Sequence, residues 1–476
     1  MAAARAPAPA PPHAGKPLDR SIVAGPIARA VWMLAGPTML QNVIGGLQGL
    51  VDHAMVGRFV GYAGNAAIGV AIQIFIVVIA FVMSVFSGMA VLVARFAGAN
   101  EPEKVNRTVY QAFLAALVLW GGVLAPLGWT LAPSLLSLVH AAPAVRVEAL
   151  PFLRIMFVGS VGMLLFFMVG GALRSAGDAR TPLRLGVMLT VLNIVLNVIL
   201  IRGLGPIPRL GTAGAAVGST LAGLASSGVA VYLLFSGRLP VTWHRGMDWR
   251  PDWAIIRSLF RFGLPTGVQG IAMNVAGVLL LRFIGSLERS AEAQAAFAVG
   301  YGELFSLITW TSVGLMGATA AVAGQNLGAG HPERSVRGVH VAAGIGLSGA
   351  VVVGALFLLI PRQLFGLFGI VEPAVLAIGT QLLGFLSVSG LFITVALTYT
   401  GGLQGTGDTR SPLYISLVSQ IVVPLGLCAL LQAARGLHPA DIWVAILLGH
   451  VTRCALSVLR FRQGKWRAIR VDVERR

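Results

Sequence analysis

The sequence predicts an all-α polytopic membrane protein, with twelve transmembrane helices in two parallel six-helix repeats. Apolar residues make up 56% of the 476 residues, and charged residues only 11%. Runs long enough to span a bilayer, roughly 20 apolar residues each, follow one another from residue 28 to 462. The alternating segments of an outer-membrane barrel are absent. The chain also contains an internal repeat, which predicts the two halves.

Polar or glycine-containing turns separate the apolar runs, so each run is read as one helix. The first six lie at 28–57, 65–93, 108–133, 147–171, 182–203 and 211–236. The second six lie at 258–285, 294–322, 337–360, 372–400, 412–434 and 439–460.

A thirteen-residue segment occurs twice, as Gly171–Leu183 and Gly401–Leu413, with seven identical positions at an offset of 230. The same offset aligns residues 98–103 with 328–333. The chain is therefore a duplicated unit, which in a membrane protein is typical of transporters. Because six is even, both halves enter the membrane in the same direction.

This repeat divides the chain into five segments. They are a disordered cytoplasmic tail (1–27), an N-lobe (28–236), a cytoplasmic linker (237–257), a C-lobe (258–462) and a basic cytoplasmic tail (463–476). Arg and Trp side chains in the linker suggest that it lies along the inner membrane surface.

The net charge of +18 is unevenly distributed. If the N-terminus is cytoplasmic, the tails and the even-numbered turns hold 24 of the 35 Lys and Arg residues. This asymmetry is the positive-inside rule. It predicts a multi-pass protein of the cell inner membrane with both termini in the cytoplasm and the lipid bilayer as partner, and it argues against nucleic acid binding.

The repeated Gly-Asp-x-Arg-x-Pro segments fall in cytoplasmic turns. Asp178 with Arg180, and Asp408 with Arg410, are interpreted as structural parts of these turns. Thr181 or Ser411 would cap the next helix. Proton transfer by the two Asp residues is the alternative.

Few ionisable groups lie inside the predicted helices, and Asp52 is one of them. A central Asp costs about 2.5–3.5 kcal/mol on insertion scales, so it needs a partner, water or a proton. Asn193 and Asn197 share one face of the fifth helix, and Ser219 lies at similar depth in the sixth. Together they predict a coupling-ion site: either H+ on Asp52, or Na+ at Asp52, Asn193 and Asn197, since oxygen ligands suit hard cations.

The alternative is that these polar groups only hold helices together. The repeat argues against it, because the positions equivalent to Asn193 and Asn197 are Val423 and Leu427. The position equivalent to Asp52 is Leu280. The polar cluster therefore belongs to the first half alone.

Five further residues are candidates for the substrate cavity: Glu303, Gln73, Tyr301, Trp310 and Tyr399. Glu303 would attract a cation, or pair with Tyr301 or Gln73, and the aromatic rings would stack on a cationic substrate. No metal-ligand pair of histidines, phosphate-binding loop or nucleotide-hydrolysis motif is present. The sequence therefore predicts no cofactor, with transport driven by an H+ or Na+ gradient.

At this point the chain resembles the multidrug and toxic compound extrusion (MATE) family over roughly residues 25–460. The resemblance rests on motifs spread over both halves: Pro37, Val51-Asp52, Met55–Arg58, Gly171–Pro182, Leu192–Asn197, Leu210–Ala216, Gly324–Ala329 and Gly402–Asp408. It implies two V-shaped lobes of six helices and efflux of drugs or metabolites in exchange for H+ or Na+. The family's first-lobe ion site matches Asp52, Asn193 and Asn197, and more loosely Ser219.

One departure concerns the second lobe. NorM-like members carry a Glu in the seventh helix and an Asp in the tenth, where this chain has Met273, next to Asn274, and Phe392. The resemblance therefore favours first-lobe coupling, as in DinF-like members.

The expected function is an antiporter, not an enzyme, that exports amphipathic or cationic small molecules by alternating access and works as a monomer. One alternative is a flippase for a lipid-linked sugar. It would favour a basic cavity, whereas the intramembrane cations are nearly limited to Arg154. A membrane-embedded transferase is the other alternative, but the paired acids or His/Asp site it needs are not found.

Overall fold

A computed structural model describes residues 15–139, 141–206, 208–244 and 246–471. Over these residues the chain is all-helical, as predicted, with long helices at the twelve expected places. In the first half they are α1 (Ile27–Phe59), α2 (Tyr62–Gly98), α3 (Pro102–Leu138), α4 (Pro143–Ser175), α5 (Arg180–Arg202) and α6 (Gly211–Phe235). In the second half they are α7 (Trp253–Gly285), α8 (Ser290–Gly328), α9 (Pro332–Leu359), α10 (Pro373–Gly405), α11 (Arg410–Arg435) and α12 (Pro439–Arg462).

Within the described residues, eleven of these helices are long and apolar enough to cross a membrane, and α1 is the one that falls short. Its apolar run is broken by Gln41, Asn42, Gln48 and Asp52. The helix that falls short thus carries the predicted ion-site acid.

Each lobe is built around one central helix. In the N-lobe α4 packs against α2 and α6, and in the C-lobe α10 packs against α8, α9 and α12. The two central helices end in the repeated turn, so the repeat in the sequence is also a repeat in the packing.

The lobes meet mainly through α2 against α7 and α1 against α8, with α2 also touching α8. At one end of this interface the backbones meet closely at Gly98 and Gly328, which are equivalent at the offset of 230. A Cβ atom on Gly98 would lie 1.9 Å from the Gln325 carbonyl oxygen, and one on Gly328 would lie 2.1 Å from the Arg95 oxygen. Only glycine allows such an approach of two backbones. These two residues define one end of the molecule, hereafter the glycine end.

The segment before α1 also lies at the glycine end. Residues 15–26 contain a short helix, Ser21–Ala24, whose Ile22 is fully buried. Arg334 of the C-lobe donates to the Gly25 carbonyl oxygen at 2.7 Å, and Asn326 to that of Ile22 at 3.3 Å. The prediction of a disordered tail over 1–27 is therefore wrong for residues 15–27, because their apolar side chain and carbonyls find partners. Residues 1–14 lie outside the described residues.

The linker between α6 and α7 is likewise folded, and it packs against the N-lobe. Trp243 is buried against Tyr110 of α3, and the Arg107 guanidinium pairs with Asp252 at 2.8 Å. The expected position along the membrane surface is therefore wrong for Trp243, whose ring packs inside the protein. Arg245 lies outside the described residues.

The segment after α12 crosses from the C-lobe to the N-lobe. Trp466 is buried, and Arg95 of α2 donates to the Ile469 carbonyl oxygen at 3.1 Å. The part of the predicted basic tail that the structure describes is thus packed as far as Val471, which is itself buried.

In both repeated turns the Asp side chain caps the following helix, a role that was predicted for Thr181 and Ser411. Asp178 accepts hydrogen bonds from the Arg180 and Thr181 backbone N–H groups, each at 3.0 Å. Asp408 accepts from the Ser411 N–H at 3.2 Å. The Asp, and not Thr181 or Ser411, is therefore the capping acceptor. Arg180 and Arg410 begin the next helices and are exposed.

Candidate ion and substrate site in the N-lobe

The four residues predicted to bind the coupling ion form one continuous hydrogen-bonded chain. The Asn197 side-chain amide donates to Asp52 Oδ1 at 2.9 Å and to Asn193 Oδ1 at 3.2 Å. The Asn193 amide in turn donates to Ser219 Oγ at 2.9 Å. Three helices, α1, α5 and α6, thus place a carboxylate, two amides and a hydroxyl together.

The helical geometry explains why these residues meet. Asn193 and Asn197 are one turn apart, so both project from the same face of α5. Both are buried, whereas Asp52 and Ser219 are half-buried. Asn197 Oδ1 has no hydrogen-bond partner and lies against Gly218, where a Cβ atom would be 2.1 Å from it. A glycine at 218 is therefore a packing requirement of the site.

A cavity of about 520 Å³ adjoins this chain. Asp52, Asn193 and Ser219 line it on one side. Its remaining walls are mostly apolar and aromatic, including Phe75, Phe152, Met156, Phe166 and Phe167. An acid at the edge of an apolar chamber suits an amphipathic ligand with a positive charge, because apolar walls and a few polar groups are typical of small-molecule sites.

A row of amides on α1, which was not predicted, also lines the cavity. Gln48 accepts from the Thr190 hydroxyl at 2.8 Å. Gln41 accepts from Arg174 at 3.1 Å, so this arginine faces the lobe interior. Positions 41, 48 and 52 recur at intervals of seven and four, which is the period of one helix face. That spacing was the available signal.

The predicted substrate residue Trp310 closes the cavity from the other lobe. Its backbone oxygen accepts from Asn42 at 3.2 Å, and its ring occupies the space beside Gly46, where a Cβ atom would be 2.3 Å away. Trp310 and Val313 are the C-lobe residues among the cavity lining. Movement between the lobes would therefore change this wall.

The other predicted substrate residues do not join this cavity. Gln73 and Tyr301 line a second cavity in the C-lobe, of about 280 Å³. Glu303 is half-buried two positions from Tyr301, and within the described part of the chain no hydrogen bond joins it to Gln73 or Tyr301. Tyr399 is buried between Phe461 and His340 in the core of the C-lobe, so its prediction as a cavity residue is wrong.

Both lobes of the chain match the model of a known protein family. The family model described as MatE matches residues 37–199 and 265–430, one match in each lobe. The chain belongs to the MatE family. Proteins of this family are transporters and not enzymes.

Several relatives match this MatE chain over nearly its whole length. A probable multidrug resistance protein NorM of Deinococcus radiodurans is 30% identical over 90% of this chain and 94% of its own. The protein of the same name from Thermotoga maritima is 26% identical over 92% and 93%. The multidrug resistance protein PmpM of Pseudomonas aeruginosa is 26% identical over 95% of both chains.

Solved structures show the same fold. A multidrug resistance MATE family transporter of the MOP superfamily, in an outward-facing conformation, superposes with a TM-score of 0.87 at 22% identity, covering 95% of this chain and 98% of its own. A MOP superfamily transporter from Pyrococcus furiosus gives 0.86 at 22% identity, covering 94% and 98%. The chain therefore has the two-lobe fold of these structures.

Proposed function

We propose that this MATE transporter is an antiporter that exports amphipathic, cationic small molecules across the inner membrane in exchange for H+ or Na+. The observation that carries the proposal is the hydrogen-bonded chain from Asp52 through Asn197 and Asn193 to Ser219, at the edge of the apolar cavity. Substrate cation and coupling ion would then compete for the same carboxylate.

The coupling step follows from that competition. Ionised Asp52 attracts a lipophilic cation into the cavity, and apolar walls hold the rest of the molecule. An entering proton or Na+ neutralises Asp52, removes the attraction and releases the substrate. One charge that moves inward down a potential of 100 mV supplies about 2.3 kcal/mol.

The same proposal sets the orientation and the assembly. Following the positive-inside distribution, the glycine end faces the cytoplasm together with both termini and the linker. The closely packed lobes at that end then correspond to a transporter closed toward the cytoplasm. The ion-site residues all come from the N-lobe, so one chain is proposed to be a complete transporter.

A lipid-linked sugar flippase is less well supported. Its anionic substrate would meet Asp52 in the large cavity, and like charges repel. The relatives named as multidrug resistance proteins point in the same direction.

We expect Asp52→Asn to abolish coupled transport, because the amide keeps the shape of the side chain but cannot be neutralised by an ion. Purified protein in proteoliposomes, with an imposed pH or Na+ gradient and ethidium as substrate, measures the rate. The coupled rate should fall at least tenfold under whichever gradient drives the wild type.

Asp178→Asn is the matched control, since it removes a carboxylate from a turn while keeping a capping oxygen. It should transport at the wild-type rate. Wild-type coupled transport by Asp52→Asn would contradict the proposal, provided that both variants elute and melt like the wild type.

A further inference from the structure

The second cavity, of about 280 Å³, has a different chemistry from the first. It lies in the C-lobe and is lined by Asn274 of α7, Tyr301 of α8, Gln420 of α11 and His450 of α12, with Gln73 of α2 facing it from the N-lobe. Among the residues that the structure describes, no Asp or Glu lines it. Tyr301 and Gln420 both belong to π-helical segments, 298–304 and 418–422. Such segments are rare and frequent at functional sites.

A buried arginine lies one turn along α12 from His450, next to the residues that line the cavity but not itself one of them. Arg453 follows His450 by three residues on α12, so the two share one face of the helix. Arg453 is 4% exposed and about 13 Å from the end of α12, counting nine residues to Arg462. Its Nε has no hydrogen-bond partner, and among the described residues no ion pair involves it.

This arrangement calls for a negative ligand. A guanidinium stays protonated in proteins, and an unpaired charge in the interior costs several kcal/mol. Three buried groups of this region, His450 Nδ1 and the hydroxyls of Ser419 and Ser457, have no hydrogen-bond partner among the described residues. Ser457 follows Arg453 by one turn on α12, and the Ser419 backbone lies against Gly449. The three groups offer N–H or O–H groups to a ligand, and none of them is a carboxylate that would neutralise Arg453.

The other cavity walls favour an aromatic ligand. The rings of Phe297 and Tyr301, which both line the cavity, stack at 4.9 Å with an interplanar angle of 8°. Phe297 continues the stack onto Trp443 at 6.0 Å. A flat ring that enters from the cleft between the lobes would meet this stack, because aromatic pairs favour such geometry.

We propose that the C-lobe cavity binds aromatic carboxylates, with the carboxylate directed toward His450 and Arg453 and the ring against Phe297 and Tyr301. It is a second site, of opposite polarity to the cavity at Asp52. The proposal concerns binding and rests on the proposed function only in that both sites would serve one transporter.

Thermal unfolding of the purified full-length chain in detergent tests this site. Potassium benzoate, potassium chloride and benzamide are compared at equal ionic strength, so that no Na+ reaches Asp52. Benzoate should raise the melting temperature, whereas benzamide and chloride should not, and isothermal titration should give benzoate an affinity at least tenfold above that of benzamide.

Four variants distinguish benzoate binding in this cavity from binding elsewhere on the protein. Arg453→Gln should lose the benzoate response, and Arg453→Lys should retain part of it, since it keeps the charge without the planar fork. Arg154→Gln removes an intramembrane arginine that lies over Trp129 in the N-lobe, and it should respond like the wild type. Asp52→Asn should also keep benzoate binding, so failure of ion coupling and failure of this site give different results.

Three outcomes would overturn the proposal. They are equal binding of benzoate and benzamide by the wild type, equal stabilisation by chloride and benzoate, or a wild-type benzoate response in a folded Arg453→Gln protein. The first two need no variant, so the test does not depend on how Arg453→Gln folds.

Discussion

At the residue scale, the ion site depends on a position that has no polar side chain. Gly218 lies against Asn197 Oδ1, and the hydrogen bonds of Asn197 connect Asp52 with Asn193. Any side chain at 218 would push the amide away from the carboxylate without changing the chemistry of either group.

We therefore expect Gly218→Ala to reduce coupled transport at least tenfold and to destabilise the protein by about 1–3 kcal/mol, the usual cost of overpacking. Proteoliposome transport and thermal unfolding measure the two effects. Gly228→Ala on the same helix is the control, because nothing lies within 4 Å of the added carbon. Equal transport by the two variants would show that the amide tolerates the displacement.

The residues of the ion site could be predicted because rarity marked them. An acid and two amides at helical spacing in apolar segments leave few alternatives, and the repeat showed that they belong to one half. Arg453 and His450 were not predicted, because they are recognised as candidate ligand groups only by their lack of hydrogen-bond partners. Recognising that lack requires knowing which side chains of α7, α8 and α11 face α12. The prediction for Tyr399 was wrong for the same reason, since the sequence around an aromatic residue in a membrane helix looks the same whether its side chain lines a cavity or packs in a core.

At the element scale, the two copies of the repeated turn differ in what surrounds them. Asp408 is buried and accepts from Arg460 of α12 through Nε and an Nη atom, each at 2.9 Å. Asp178 is half-buried, and of the described residues none forms an ion pair with it. The second turn is therefore tied to α12, while the first is held by its own helix.

This difference predicts unequal effects of the same substitution. Asp408→Asn should lower the free energy of unfolding by about 1–3 kcal/mol, less than the 3–5 kcal/mol of a fully buried pair because Arg460 is partly exposed. Asp178→Asn should cost about 0.5 kcal/mol or less, since an amide oxygen still caps the helix. The melting temperatures of the two variants test this prediction. Equal decreases in melting temperature would mean that the contact with Arg460 adds no stability.

The elements were largely predictable and their ends were not. Twelve apolar runs gave twelve helices, because membrane helices need length and apolarity above all. The segment before α1 and the linker have no such signal. Their order comes from contacts with residues far away in the chain, such as Arg334 with Gly25, 309 positions apart, and Arg107 with Asp252, 145 positions apart.

At the scale of the whole molecule, the close contact of the lobes at the glycine end depends on Gly98 and Gly328. Alternating access requires this end to open, so a substitution that prevents the close contact should favour the open state. The backbone oxygens that face the two glycines cannot move without moving their helices.

We expect Gly98→Ala combined with Gly328→Ala to separate the lobes at the glycine end. Distances between spin labels at positions 101 and 331 should lengthen or broaden relative to the wild type, and coupled transport should fall severalfold. Gly344→Ala with Gly349→Ala on α9 is the control, because neither added carbon meets an atom within 4 Å. An unchanged distance distribution in the first variant would mean that side-chain adjustments absorb the added methyl groups.

Each half sends the segment before its first helix to the other half: residues 15–26 dock on Asn326 and Arg334, and the linker docks on α3. Two separate six-helix chains would therefore form a pair that exchanges these segments (the arms), with each arm covering a surface of the other chain. Gene fusion then needs only to join the end of one chain to the arm of the next, and the joined arm already lies where it docks. Co-expression of the two halves as separate polypeptides should accordingly reconstitute a complex. Either half alone would leave exposed the surface on which the other half's segment docks.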